Sequence, residues 1–330
     1  MAHRMTAYLV TGATGFIGAR VAALLLESGA HVIGVDDLNT SYDVRLKEWR
    51  LARLSASPHF TFHTLDVGDG AAVNRLWAAL PPLEAVFNLA ARAGVRQSLL
   101  TPHIYYHTNL NGTLNLLEAC RHHGPTKFIL ASTSSLYGAE NPMPYREDGD
   151  TDHPLSPYTA SKKAAETLCH AYHHLYGLDI SIVRYFTVYG PAGRPDMSVF
   201  RFTQWISEER PVVVFGDGSQ LRDFTYIDDI ARGTIAAARP LGYEAINLGS
   251  DRPIALIDVI RTIERLVGKP AQITFQPFHN ADMRGTWADV RKAHALLGWQ
   301  PNTSFEEGAA RAVAWYTEHR AWASTIATAE

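Results

Sequence analysis

Three glycines at three-residue spacing, Gly12, Gly15 and Gly18, follow the apolar run Tyr8-Leu9-Val10 and lead into an apolar segment through Leu24-Leu25-Leu26. This arrangement restricts the fold more than any other stretch. It reads as strand, tight turn and helix, with the glycines letting the backbone turn sharply and letting an anion approach the bare N–H groups at the helix N-terminus. His31 to Val35 is a second strand, ending in Asp36 about twenty residues beyond the glycines. A pyrophosphate on the turn and adenosine ribose hydroxyls on Asp36 make the pattern a dinucleotide site. A carboxylate there repels a 2′-phosphate, so the expected cofactor is NAD rather than NADP.

The alternation continues down the chain. Phe60 to Leu65 is a strand ending in Asp66, Ala85 to Leu89 one running into Ala90-Ala91, and Lys127 to Ala131 and Ile180 to Val183 two more. A long helix spans about Pro102 to His123. Strands alternating with helices predict an α/β fold, a doubly wound parallel sheet with ligands at the carboxyl ends of its strands. Asp36, Asp66, Ala90, Thr133 and Tyr185 all fall at such ends. Beyond Gly190 the glycines and prolines multiply, which predicts a smaller, interleaved domain. The expected division is residues 1–184 with return segments at about 226–250 for the cofactor, and 185–225 with 251–330 for the substrate.

Bulk properties narrow the class. A net charge of −3 over 330 residues gives no broad attraction to nucleic acid or membrane. Two cysteines, Cys120 and Cys169, fit a reduced compartment with no disulfide framework, and there is no metal-type cluster. No apolar run reaches membrane-spanning length. Met1 to Met5 lead straight into a strand, which leaves no room for a signal peptide. The expectation is a soluble cytoplasmic protein.

Chemistry enters at Ser156-Pro157-Tyr158-Thr159-Ala160-Ser161-Lys162. Ser156 suits a helix N-cap and Pro157 the first helical position, and Gly177 stops the helix. Tyr158 and Lys162 lie four apart and so emerge on one face. A phenol loses its proton near pH ~10, and an ammonium beside it brings that value towards neutrality, making the pair a candidate base. Thr133, at the end of a strand, offers a hydroxyl to the same substrate oxygen.

The glycine turn, Thr133, Tyr158 and Lys162 together resemble the extended short-chain dehydrogenase/reductase superfamily, over essentially the whole chain. The resemblance implies that Tyr158 is the base, that Lys162 holds the nicotinamide ribose and lowers the Tyr158 pKa, and that Thr133 orients a sugar hydroxyl. The expected cofactor contacts are Gly12, Gly15, Phe16, Ile17, Gly18, Asp36, Asn39, Asp66, Val67, Leu89, Ala90, Ala91, Asn109, Tyr158, Lys162 and Tyr185. Further segments look like the uronic-acid 4-epimerase branch: Asp36-Asp37-Leu38-Asn39 with Tyr42 to Lys47, Phe186 to Pro191 with Gly193 to Met197, Arg222 to Asp229, and Thr286-Trp287-Ala288-Asp289. That branch implies a UDP-sugar substrate, transient hydride transfer to NAD and a flat 4-ketone that is reduced from its other face.

A uronic 4-ketone is a β-keto acid prone to lose carbon dioxide, so the site must hold the carboxylate. Ser134, Ser135 and Thr187 are suited to it, with Arg194 nearby. Dehydratase and decarboxylase relatives carry acids just after the Ser/Thr position, where this chain has Ser134 and Ser135. Arg222 is the expected diphosphate ligand, Phe215 is expected near the uracil, and Asp282 belongs to a segment where glucose-type relatives place an arginine and this chain has His279. A neutral-sugar 4-epimerase and a decarboxylase are the enzymatic alternatives, and a non-catalytic dinucleotide sensor the alternative of another class. Arg45 to Arg50 reads as a solvated helix face. His170 to His174 has metal-type spacing without other ligands and reads as a polar or subunit-contact stretch. The long helix and the Tyr158 helix are expected to pair with their copies in a homodimer.

Overall fold

The computed structural model describes residues 6–123, 127–278 and 283–328. Its centre is a seven-stranded sheet of β1 (Ala7–Thr11), β2 (His31–Asp36), β3 (Phe60–Thr64), β4 (Ala85–Asn88), β5 (Lys127–Thr133), β6 (Ile180–Tyr185) and a later strand, Tyr243–Leu248. All neighbours pair in parallel, in the spatial order Tyr243–Leu248, β6, β5, β4, β1, β2, β3. The sheet's inner strands are buried on both sides, as in parallel sheets generally, while the edge strand β3 is partly exposed. Alternate residues feed two cores: Val10, Val32, Phe87, Ile129 and Val183 on one face, Leu9, Ile33, Val86, Leu130 and Ile182 on the other. Strand order reverses between β1 and β4, which opens a crevice outside their carboxyl ends.

The helix after β1 runs Phe16–Glu27, and the next, Val44–Ser55, is capped by the Asp43 side chain accepting from the Arg45 N–H at 3.1 Å. The expectation of a solvated face here is overturned. Leu46, Lys47 and Arg50 are buried, because this side of the helix packs against the glycine turn and β2. Arg50 donates to the Thr14 carbonyl at 3.0 Å and the Ala192 carbonyl at 2.6 Å, tying the turn to the loop that carries Arg194.

The predicted long helix is interrupted. It runs α-helical over Pro102–Tyr105, π-helical over Tyr106–Asn111 and α-helical again over Gly112–His123. Such π turns re-aim side chains and gather at functional sites. The Pro157–Tyr176 helix has the predicted ends, with Ser156 Oγ accepting from the Thr159 N–H at 3.2 Å and Gly177 left-handed at φ 67°. The remaining strands form two small sheets: Thr187–Tyr189, Leu221–Tyr226 and Pro253–Ala255 in one, Val212–Phe215 with Ile273–Gln276 in the other.

Candidate active site

At the crevice, the glycines are required by close approach. A Cβ on Gly12, whose φ is +66°, would stand 2.8 Å from the main chain of Leu89 and Ala90, and one on Gly18 would stand 2.1 Å from the Gly12 carbonyl oxygen. The Phe16–Glu27 helix starts at Gly15 with no side-chain cap and no acid in its first turn. Its N–H groups therefore face the cleft with no competing carboxylate. Asp36 is held at the end of β2 by the N–H groups of Thr14 (3.2 Å) and Leu38 (2.9 Å). Anion-seeking N–H groups beside a fixed carboxylate suit the pyrophosphate and ribose of a dinucleotide.

Across the crevice, two consecutive residues of β5 are stitched to the Tyr158 helix, with Thr133 next in line. Lys162 Nζ donates to the Ala131 carbonyl at 2.9 Å, and the Ser132 hydroxyl donates to Glu166 at 2.6 Å. Glu166 is clasped by Arg184 through Nε at 3.0 Å and Nη2 at 2.8 Å, with both side chains buried. This network fixes the spacing between Thr133 and Tyr158.

Burial pushes the Tyr158 phenol up from its ordinary value, while the Thr133 hydrogen bond and the positive field of Arg194 pull it down. Burial brings the Lys162 ammonium down to about 8, against the opposing pull of Glu166. Lys162 bonds the β5 carbonyl, and Arg194, whose positive field pulls the phenol down, is itself paired with Asp196 through Nε at 3.0 Å. Removing this positive charge raises the phenol pKa. Arg194→Gln is therefore expected to move the rising limb of kcat to higher pH. A limb unmoved in a pH profile would remove Arg194 from this role.

One cleft is lined by Gly12, Gly15, Phe16, Ile17, Gly18, Asp36, Asn39, Asp66, Val67, Leu89, Ala90 and Ala91 on the β1–β4 side, and by Thr133, Ser134, Ser135, Tyr158, Lys162, Tyr185, Thr187, Arg194, Phe215 and Arg222 beyond it. Asp66 sits at its rim, bonded to His107 at 2.9 Å, and the Tyr185 hydroxyl turns away to Thr234 at 2.8 Å. Asn109 does not line the cleft. Its side chain is buried and spent on the Arg92 backbone (2.8 and 3.0 Å) and the Ser161 hydroxyl (2.9 Å), because the π turn aims it at the neighbouring helix. It braces the loop after β4. Asp282 and His279 lie outside the described residues.

Two cleft residues, Arg92 and Arg96, were not singled out from the sequence. Arg92 Nη1 donates to Asn39 Oδ1 at 3.0 Å, and the Arg96 guanidinium lies 4.2 Å over the Phe215 ring, joining opposite walls. Arg92 could have been found, since it directly follows the strand-end pair Ala90-Ala91. Arg96 and Phe215 are far apart in sequence, and nothing local pairs them.

A glycine cradle at the switch point of a parallel sheet, facing a half-buried Tyr and a buried Lys on one helix, defines a nucleotide-dependent enzyme of the short-chain dehydrogenase/reductase class. Residues 8–249 match the model of the NAD dependent epimerase/dehydratase family, and the chain belongs to that family. It is 56% identical over 313 residues to the UDP-glucuronate 4-epimerase of Thermodesulfobacterium geofontis, covering 94% of this chain and 96% of that protein. Its structure is similar to that of UDP-glucuronic acid 4-epimerase from Bacillus cereus in complex with UDP-glucuronic acid and NAD (TM-score 0.88, 38% identity, 95% of this chain and 100% of that one). It is also similar to the UDP-glucose 4-epimerase of Thermotoga maritima with UDP-glucose (TM-score 0.88, 32% identity, 96% and 100%).

Proposed function

We propose that this chain is an NAD-dependent 4-epimerase that interconverts UDP-glucuronate and UDP-galacturonate. The observation that carries this reading is one cleft in which half-buried Tyr158, under the influence of Thr133 and Arg194, shares the lining with Ser134, Ser135 and Thr187, with no acid at those three positions. Tyr158 takes the proton of the sugar 4-hydroxyl and later returns it. Thr133 orients that oxygen, and Lys162 holds the cofactor ribose. NAD, when bound on the glycine turn and Asp36, supplies the two-electron exchange at carbon 4 and is restored within each turnover. Rotation of the flat ketone between the two exchanges inverts the centre. Arg222 and Phe215 hold the UDP group, so the seven-stranded half serves the cofactor and the part built on the small sheets serves the nucleotide sugar.

The carboxylate decides the outcome at the ketone stage. Loss of carbon dioxide requires the C–C bond to stand perpendicular to the carbonyl plane, and hydrogen bonds from Ser134, Ser135 and Thr187 keep it near that plane. Each bond to a charged group is worth roughly 1.5–3 kcal/mol, so Ser134→Ala or Thr187→Ala is expected to slow epimerisation and release some UDP-4-keto-pentose. Variants that turn over UDP-glucuronate without forming any pentose would place the carboxylate elsewhere. The function itself is tested by incubating the protein with UDP-glucuronate and identifying the product by NMR. UDP-galacturonate is expected, whereas a UDP-pentose would mark a decarboxylase and no product a sensor or a neutral-sugar enzyme.

We read the protein further as a cytoplasmic homodimer. Ile104, Leu114 and Leu175 are exposed on the helices expected to pair, an arrangement that leaves apolar area for a second copy. Light scattering is expected to give twice the chain mass. No helix among the described residues is long and apolar enough to cross a membrane.

A further inference from the structure

Lys47 has no place in the reaction above, yet it is 4% exposed and lines the same cleft as Asp36. Its Nζ lies 3.5 Å from Asp36 Oδ1 and 4.0 Å from Asp37 Oδ1, and 5.4 Å from the centre of the Tyr42 ring. Asp37 is already shared, with Arg92 at 3.6 Å and a hydrogen bond from the Asn39 side chain. Asp36 is thus the near partner of a buried ammonium, and each of its oxygens also accepts a backbone N–H, from Thr14 and Leu38. The carboxylate does two things at once. It repels a negative group at the ribose, and it neutralises a cation at the same place.

We propose that Lys47 is a cofactor-specificity residue: a latent cationic subsite for a 2′-phosphate, kept silent by Asp36. With the carboxylate present the pair is neutral, and a ribose bearing only hydroxyls fits beside it. Without the carboxylate charge the ammonium keeps Asp37 alone, at the longer distance, and a buried cation so weakly paired is unfavourable. A phosphomonoester dianion on the ribose supplies the missing partner, with three ammonium protons available to it. One substitution therefore reverses the preference between the two nicotinamide dinucleotides instead of abolishing it. The inference rests on the dinucleotide site and is independent of the sugar that the enzyme takes.

The test compares the full-length chain, stripped of nucleotide, with Asp36→Asn, Asp36→Ser, Lys47→Met and Asp36→Asn/Lys47→Met. Affinities for NAD and NADP are measured by calorimetry, and melting temperatures with each nucleotide. The wild type is expected to prefer NAD. Both Asp36 variants are expected to prefer NADP by roughly tenfold or more, as for other close charge pairs in a desolvated site, and to be raised in melting temperature more by NADP than by NAD. Asn retains an acceptor for a backbone N–H and Ser leaves a smaller group, so the two variants perturb the β2 end differently. Adding Lys47→Met is expected to remove the NADP gain. The proposal is overturned if the double variant binds NADP as tightly as Asp36→Asn, or if both Asp36 variants still favour NAD as the wild type does. Failure of the wild type to bind NAD would overturn the cofactor site beneath it as well.

Discussion

Tyr158→Phe is expected to fold and bind NAD like the wild type while losing turnover of UDP-glucuronate by roughly 10²–10⁴-fold, the usual worth of a positioned general base. The reason is local. The ring packs edge-on against Tyr105 at 6.1 Å, a contact that phenylalanine keeps. The lost hydroxyl is the group whose pKa Thr133 and Arg194 pull down. Phenylalanine leaves Thr133 able to donate to Ser135, 3.2 Å away, so the floor of the cleft keeps its polar order. The measurement is kcat with UDP-glucuronate beside an NAD affinity and a melting curve. Near-normal turnover with intact binding would take the base away from Tyr158.

Arg184→Met is expected to produce the largest loss of stability. Arg184 and Glu166 are 5% exposed each, and besides its two bonds to Glu166 the guanidinium donates to the Tyr137 hydroxyl at 3.0 Å and the Glu147 carbonyl at 3.1 Å. Removing one partner of a buried pair strands the other charge, at a cost of roughly 3–5 kcal/mol. Against total stabilities of about 5–15 kcal/mol that is a large fraction. The melting temperature is expected to fall by on the order of 10 °C. Glu166→Gln/Arg184→Met removes the stranded carboxylate and is expected to recover part of the loss. Activity falls in step, since Glu166 holds Ser132, the neighbour of Thr133. A single variant that melts within about 2 °C of the wild type would show the pair to be relaxed by water.

The glycine turn, the strand-end acids and the capped Tyr158 helix were legible because each depends on neighbours in the chain. Gly12 is needed where the backbone passes Ala90, Ser156 caps what directly follows it, and alternation of strand with helix allows little besides a parallel sheet. Solvent exposure was less legible. The charged run Arg45 to Arg50 reads as wet, but Lys47 and Arg50 are buried because their partners, Asp36, Thr14 and Ala192, arrive from three other segments. Asn109 shows the same limit, since a π turn of one helix aims it at Ser161 of another.

Residue type and spacing along the chain thus determined the fold class, the cofactor cradle and the helix that carries Tyr158 and Lys162. These rest on backbone geometry and i to i+4 periodicity, which short stretches carry in full. How charge is arranged around Tyr158 was decided only in three dimensions. Lys162, one helical turn away, bonds to the Ala131 carbonyl, while Arg194, 36 positions on, adds its positive field at the phenol. The field at a buried hydroxyl depends on distance through a low-dielectric interior, and that distance is set by how the loops pack.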